Sequence, residues 1–214
     1  ANLFLIPLDD RREWYRYHEL FADVLRNRLL QSDPDLARAV HQRASEWLGP
    51  EGYRYEAVRH AVAADAAESA ITLVLEDWRP SLEQGDAAAI LRQLEELQQT
   101  DVELDARLAV VKAWAQSVLN RREDSLAALE SAELGRFERP MPCGVPFEAA
   151  IALTRAYFPW GDSAGMLDAA VRASKLLGDT FSVGRPASLL ALGWARRLTG
   201  DGEDSTVGPP QCGV

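Results

Sequence analysis

At residue 18 the apolar pattern of this chain changes period, and that change constrains the fold more than any other feature. Before it lie Leu3-Phe4-Leu5-Ile6-Pro7-Leu8 and Trp14-Tyr15-Arg16-Tyr17, two short runs separated by Asp9 and Asp10. Aspartates favour turns by bonding nearby backbone, so residues 1–17 read as a β-hairpin. From His18 on, Leu20, Phe21, Val24, Leu25 and Leu29 share one stripe of a helix instead of alternating as in a strand.

Everything after about residue 33 reads as mainly helical. The first helix is expected over 18–30. Asp33 can cap the next and Pro34 suits its first position. That second helix puts Leu36, Val40, Ala44, Trp47 and Leu48 on one face and ends at Gly49-Pro50-Glu51-Gly52. The third, over 53–64, stacks Tyr53, Ala57 and Ala61 beside Val58 and Val62, and its alanines let helix axes approach closely. The fourth, over 66–78, carries Ala70, Ile71, Val74, Leu75 and Trp78, with Pro80 expected to close it. Ala87, Ile90, Leu91, Leu94 and Leu97 mark a fifth. Leu104, Leu108, Val111, Ala115 and Val118 mark a long sixth over 102–120, and Leu126 and Leu129 anchor a weaker partner over 123–133. Pro140, Pro142, Gly144 and Pro146 make 137–146 a loop.

Helical hairpins resume with Phe147, Ala150, Ile151, Thr154, Tyr157 and Phe158. They continue with Leu167, Ala170, Val171, Ser174 and Leu177, and then with Leu190, Trp194 and Leu198. Four Gly-Asp pairs, starting at 85, 161, 178 and 200, punctuate this array. Glycine tolerates the left-handed conformation that ends a helix, and aspartate caps the next. First helices of successive hairpins end near Arg121, Gly161 and Gly200, a period longer than the roughly 34 residues of a standard TPR. Residues 202–214 hold Gly208, Pro209, Pro210 and Gly213 without an apolar stripe and read as a disordered tail, which leaves the last helix with an unpaired, sticky face.

The expected fold is therefore all-α: a TPR-like helical-hairpin superhelix preceded by a short β-hairpin. Its expected divisions are 1–32, the end of a winged-helix domain; 33–136, the first part of the array; 147–201, TPR-like hairpins; and the tail 202–214.

The words Asn2-Leu3-Phe4-Leu5-Ile6-Pro7-Leu8-Asp9-Asp10, Trp14-Tyr15-Arg16-Tyr17-His18-Glu19-Leu20-Phe21 and Glu56-Ala57-Val58-Arg59-His60-Ala61 resemble the MalT-like family of large ATP-dependent LuxR-type transcriptional regulators. The resemblance covers about residues 1–200 and is strongest in the first 65. It implies the middle of a protein in which a P-loop ATPase ending in a winged helix is followed by a helical sensor and a DNA-binding helix-turn-helix. In the broader class of signalling ATPases a Met-His-Asp motif of the winged helix reaches the phosphates of bound ADP. Tyr17-His18-Glu19 resembles it, with Tyr17 for Met and Glu19 for Asp, so the resemblance assigns His18 a nucleotide-phosphate contact in an intact protein. An imidazole can donate to phosphate near neutral pH. The plainer alternative is that His18 caps or packs the hairpin-to-helix junction. ATP or ADP would belong to the full-length protein, because no Gly-x-x-x-x-Gly-Lys-Ser/Thr loop occurs in these residues.

The resemblance also implies a small-molecule inducer or a regulatory protein as partner, and self-association. A free-standing TPR-like interaction scaffold is the alternative, and an all-helical hydrolase a distant third. Net charge is −10, from 33 acidic and 23 basic residues, and it concentrates in 61–140, so no basic footprint for DNA is expected. Cys143 and Cys212 read as unpaired thiols of a reducing compartment. Without a signal peptide or a long apolar run, the expected location is cytoplasmic and away from membranes. His41 and His60 read as packing or surface residues, with no ligand set around them for a metal. Adjacent carboxylates such as Glu95-Glu96 diverge on a helix, and no serine has a nucleophile-elbow context, so no catalytic residues are expected. Trp47, Trp78, Trp114 and Trp194 read as core, whereas Trp14 and Trp160 could line a groove.

Overall fold

The computed structural model describes residues 4–11, 13, 15–98, 105–135, 140–142, 144–178 and 184–200. Trp14, Cys143, Cys212, the expected tail and the aspartates of the last two Gly-Asp pairs lie outside them. The described residues form one two-stranded sheet and ten helices, an all-α chain with an initial β-hairpin. Two compact units are present, Ala1–Ala70 and Ile71–Val214.

In the first unit β1 (Leu5–Pro7) pairs antiparallel with β2 (Tyr15–Tyr17), matching Leu5 to Tyr17 and Pro7 to Tyr15. Asp9 makes the turn it was expected to make, accepting the Glu13 amide at 3.0 Å. Helix α1 (Glu19–Ser32) follows at once and buries no residue. Leu20, Val24 and Leu25, on its expected apolar stripe, are exposed, while Phe21 stacks on Phe4 at 4.5 Å. Asp33 caps α2 (Pro34–Leu48) through the Leu36 amide, with Pro34 in the first turn.

Against α3 (Arg54–Ala63), α2 turns a different face from the one its largest side chains suggest. Leu36, Val40 and Trp47 are exposed, and Trp47 is therefore not core. Ala37 and Ser45 are buried, with His41, Ala44 and Leu48 half-buried on the same side. Opposite them, Ala57, Val58 and Ala61 are fully buried. Small residues let the two backbones approach until the Ser45 hydroxyl donates to the Ala57 carbonyl at 2.8 Å. Trading Leu and Trp for Ala and Ser at the contact gives up area per side chain and gains proximity along the hairpin.

The second unit begins within α4 (Ala67–Glu83), whose Ile71, Val74 and Leu75 are buried. Pro80 does not close this helix as expected; it lies inside it. Proline cannot donate to the preceding turn, yet its carbonyl still accepts the Gln84 amide at 3.1 Å, and Ser81 donates to the Asp77 carboxylate at 2.8 Å across the same turn. Gly85, at φ +88°, makes the real stop. Helix α5 (Ala87–Gln98) buries its five expected residues.

Helix α6 (Ala106–Val118) starts later than the pattern suggested, because Asp105 caps it, accepting the Arg107 amide at 2.9 Å. The expected inward residue Leu104 lies outside the described residues. The Arg107 guanidinium pairs with the same carboxylate and reaches the Pro140 carbonyl at 3.5 Å. Helix α7 (Arg122–Leu134) packs on α6, α8 (Phe147–Tyr157) on both, and α9 (Ser163–Leu177) and α10 (Gly184–Thr199) on α8 and on each other. First helices thus touch first helices while each second helix bridges to the next pair, which is the contact pattern of stacked helical hairpins. Left-handed residues follow α6, α8 and α10 at Asn120, Trp160 and Gly200, spaced evenly by 40.

The described residues of the expected loop 137–146 contribute to the core. Met141 and Val145 are buried, joined by a bond from the Met141 amide to the Val145 carbonyl at 2.9 Å. Helix α9 buries the expected Ala170 and Leu177 together with Met166, whereas α10 buries small residues in place of the expected large ones. Ala169, Ala170 and Ala173 of α9 are buried, as are Ala191 and Ala195 of α10, while Leu190, Trp194 and Leu198 are exposed.

Between α6 and α7 the same device carries a hydroxyl. Ser125, fully buried, lies 2.7 Å from Ser117 Oγ and donates to the Ala113 carbonyl at 3.1 Å. Ser125→Ala is expected to cost about 1–2 kcal/mol, read as a lower urea midpoint at unchanged slope; an unchanged midpoint would count against a stabilising role for this bond.

Candidate functional site

His18 is placed by its backbone. Its N–H donates to the Phe4 carbonyl at 2.9 Å, the last tie of the hairpin region. Its own carbonyl accepts the Phe21 and Ala22 amides, both at 2.9 Å, and so opens α1. The imidazole does neither job: it makes no capping bond and is exposed. It stands at the edge of a shallow groove with Phe4, Leu20, Phe21 and Val24. The capping alternative is thereby removed for the side chain, and the groove is apolar apart from that ring.

The sequence did not bring His41 and His60 together, but the α2–α3 hairpin does. Their Nδ1 atoms lie 2.8 Å apart and their ring centroids 4.9 Å apart. Such a contact is a hydrogen bond only when one nitrogen carries a hydrogen and the other does not. Burial, then the nearby His41, Arg59 and Arg26 charges, lower the pKa of His60 below the usual 6.5, against a weaker pull from Glu56. Two histidines 19 residues apart on separate helices give no periodic signal, which is why the pair was missed. Among the described residues no group of three or more His, Cys, Asp or Glu could hold a metal ion.

A third place lies wholly within the second unit. The C-terminal half of α4, α6, α8, the 141–145 turn and the start of α10 surround a cavity of about 240 Å³. Trp78, Trp114 and Tyr157 form its aromatic side, with Trp114 5.9 Å from Trp78 and 5.5 Å from Tyr157 between ring centroids. Met141, Val145 and Leu153 complete much of the wall. Trp78 and Trp114 are thus half-buried cavity walls, not closed core. Trp160 stacks on Phe158 at 6.2 Å and is not among the lining residues. The Tyr157 hydroxyl donates to the Ala187 carbonyl at 3.2 Å.

Because His60 resists protonation in the folded chain more than in the unfolded one, folding is favoured above about pH 6.5 and penalised as pH falls below it toward the lowered folded value. The thermal midpoint is expected to drop across that window, and His60→Gln to flatten the drop. A wild-type midpoint that stays level or rises on acidification to about pH 5 would contradict the sign.

Residues 1–37 match the family model described as the MalT winged helix domain. Over 157 residues, 72% of this chain and 14% of the relative, the chain is 35% identical to the serine/threonine-protein kinase PknK of Mycobacterium tuberculosis. Over 156 residues, again 72% of this chain but 17% of the relative, it is 29% identical to the HTH-type transcriptional regulator MalT of Yersinia pestis. The chain thus spans less than a fifth of these relatives, and no solved structure matches it. No described helix is long and apolar enough to cross a membrane. With a MalT winged-helix match over residues 1–37 and similarity to these proteins over 72% of its length, the chain is MalT-like.

Proposed function

We propose that this chain is the winged-helix end and helical sensor region of an ATP-dependent LuxR/MalT-type transcriptional regulator. In this reading it takes up a small inducer or a regulatory protein and couples that event to nucleotide state and self-association. The reading is carried by the MalT winged-helix match over residues 1–37 taken together with similarity to MalT over 72% of the chain. A second observation sharpens the role. The relatives bear names with different outputs, a protein kinase and a transcriptional regulator, yet resemble the same chain. A segment common to different outputs fits an input or coupling module better than either output, so the chain itself is taken as non-catalytic and without direct DNA contact. Its net charge of −10 supports the latter.

In the intact protein His18 would meet a nucleotide phosphate. The backbone of residue 18 already serves the junction, so an exposed imidazole there is not required by the fold. Removing it should therefore alter function without unfolding the hairpin.

The DNA flanking this reading frame is expected to encode a P-loop upstream and a helix-turn-helix downstream. Complete, unrelated genes on both sides would sink the regulator reading and favour a free-standing scaffold. In a full-length relative, His18→Ala at the matching position is expected to lower the ADP retained through purification by roughly tenfold, about 1.4 kcal/mol. Unchanged nucleotide content would remove His18 from the site.

A further inference from the structure

We propose that the cavity flanked by Trp78, Trp114 and Tyr157 binds a planar aromatic carboxylate, its ring among those side chains and its carboxylate on Arg79. The regulatory meaning rests on the sensor reading above; the binding itself does not.

The cavity of about 240 Å³ is partly open to solvent and carries three large aromatic side chains on its wall, an apolar recess that a flat ring can enter. The rings meet tilted, at 54° between Trp78 and Trp114 and 45° between Trp114 and Tyr157, so neither pair is stacked face to face. Offset and edge-to-face contacts with a third flat ring are available in this arrangement. Apolar walls give water few hydrogen-bond partners, so a flat apolar group can replace it there at little cost.

Charge selects the other end of the ligand. Among the lining residues Arg79 is the cation and Glu83 the anion. Glu83 is exposed, whereas Arg79 is half-buried. Arg79 also stands close enough to Tyr157 that its charge opposes the rise in phenol pKa caused by burial. The Tyr157 proton is already given to the Ala187 carbonyl. The guanidinium is therefore the one cation among the lining residues, and it recognises carboxylate bidentately. An amine would meet a like charge there.

Calorimetric titration of the 214-residue chain tests this with three probes: indole-3-acetate, tryptamine as the same ring with a cation, and cyclohexylacetate as the same charge without an aromatic plane. Indole-3-acetate is expected to bind saturably at one site, with the other two at least tenfold weaker. Arg79→Gln should weaken it at least tenfold, and Ala187→Leu, which fills the cavity from its wall, should abolish it. Melting curves check both variants, and Arg79→Gln carries the test if Ala187→Leu does not fold. Absence of saturable binding, equal binding of either control probe, or indifference to Arg79→Gln would overturn the site. Failure here with a P-loop and helix-turn-helix in the flanking DNA removes only the ligand. Success without them leaves the site standing and removes the regulator.

Discussion

Close approach between helices through alanine and serine is the constraint on which the architecture depends. The α2–α3 pair meets through Ala37, Ser45, Ala57 and Ala61, and the α8–α9–α10 group through Ala156, Ala169, Ala170, Ala191 and Ala195. A helix pair spaced by alanine brings backbone near backbone, so a short side chain can bond across it, as Ser45 and Ser125 do. Large residues are displaced from the contact and appear on the outside, which is why Trp47, Leu190 and Trp194 are about half exposed. Where large aromatic groups stay inside, at Trp78, Trp114 and Tyr157, they are half-buried and packing is incomplete.

That preference also explains what the sequence shows and what it hides. Caps and stops were legible because they are local chemistry: Asp33 with Pro34, Asp162, and the glycines at 85, 161, 178 and 200, all left-handed in the structure. The hairpin turn at Asp9 and the 40-residue rhythm were legible for the same reason. The buried face of α2 and of α10 was not, because a hydrophobicity stripe ranks Leu and Trp above Ala and Ser. Whether a helix buries its largest or its smallest face is decided by the partner helix, which a single stripe does not contain. The His41–His60 contact follows from that rotation, and no local pattern could reveal it.

Pro80 shows how a local rule can fail with consequence. Proline removes one donor and crowds the preceding turn, a cost of about 3 kcal/mol in an isolated helix. Here the helix continues through the bond from the Gln84 amide to the Pro80 carbonyl and through the Ser81–Asp77 contact, while Ile71, Val74 and Leu75 bury the turns before the proline. Continuation past Pro80 is what places Leu82 on the aromatic cavity beside Trp78 and Arg79. A helix stopped at Trp78 would leave that wall unbuilt.

The junction at His18 follows a related logic at smaller scale. One residue ends the hairpin with its amide and begins the helix with its carbonyl, so strand and helix are joined without an intervening loop. A direct join fixes the direction of α1 relative to β2 more tightly than a flexible linker would, since both elements share one residue's φ and ψ. Phe21 reinforces the angle by stacking on Phe4 and leaning on Tyr17 at 5.6 Å. Because the backbone and Phe21 supply the geometry, the side chain at position 18 is held at a defined place without being consumed in holding it. The join is made by main-chain atoms and Phe21, and it does not depend on which side chain residue 18 carries.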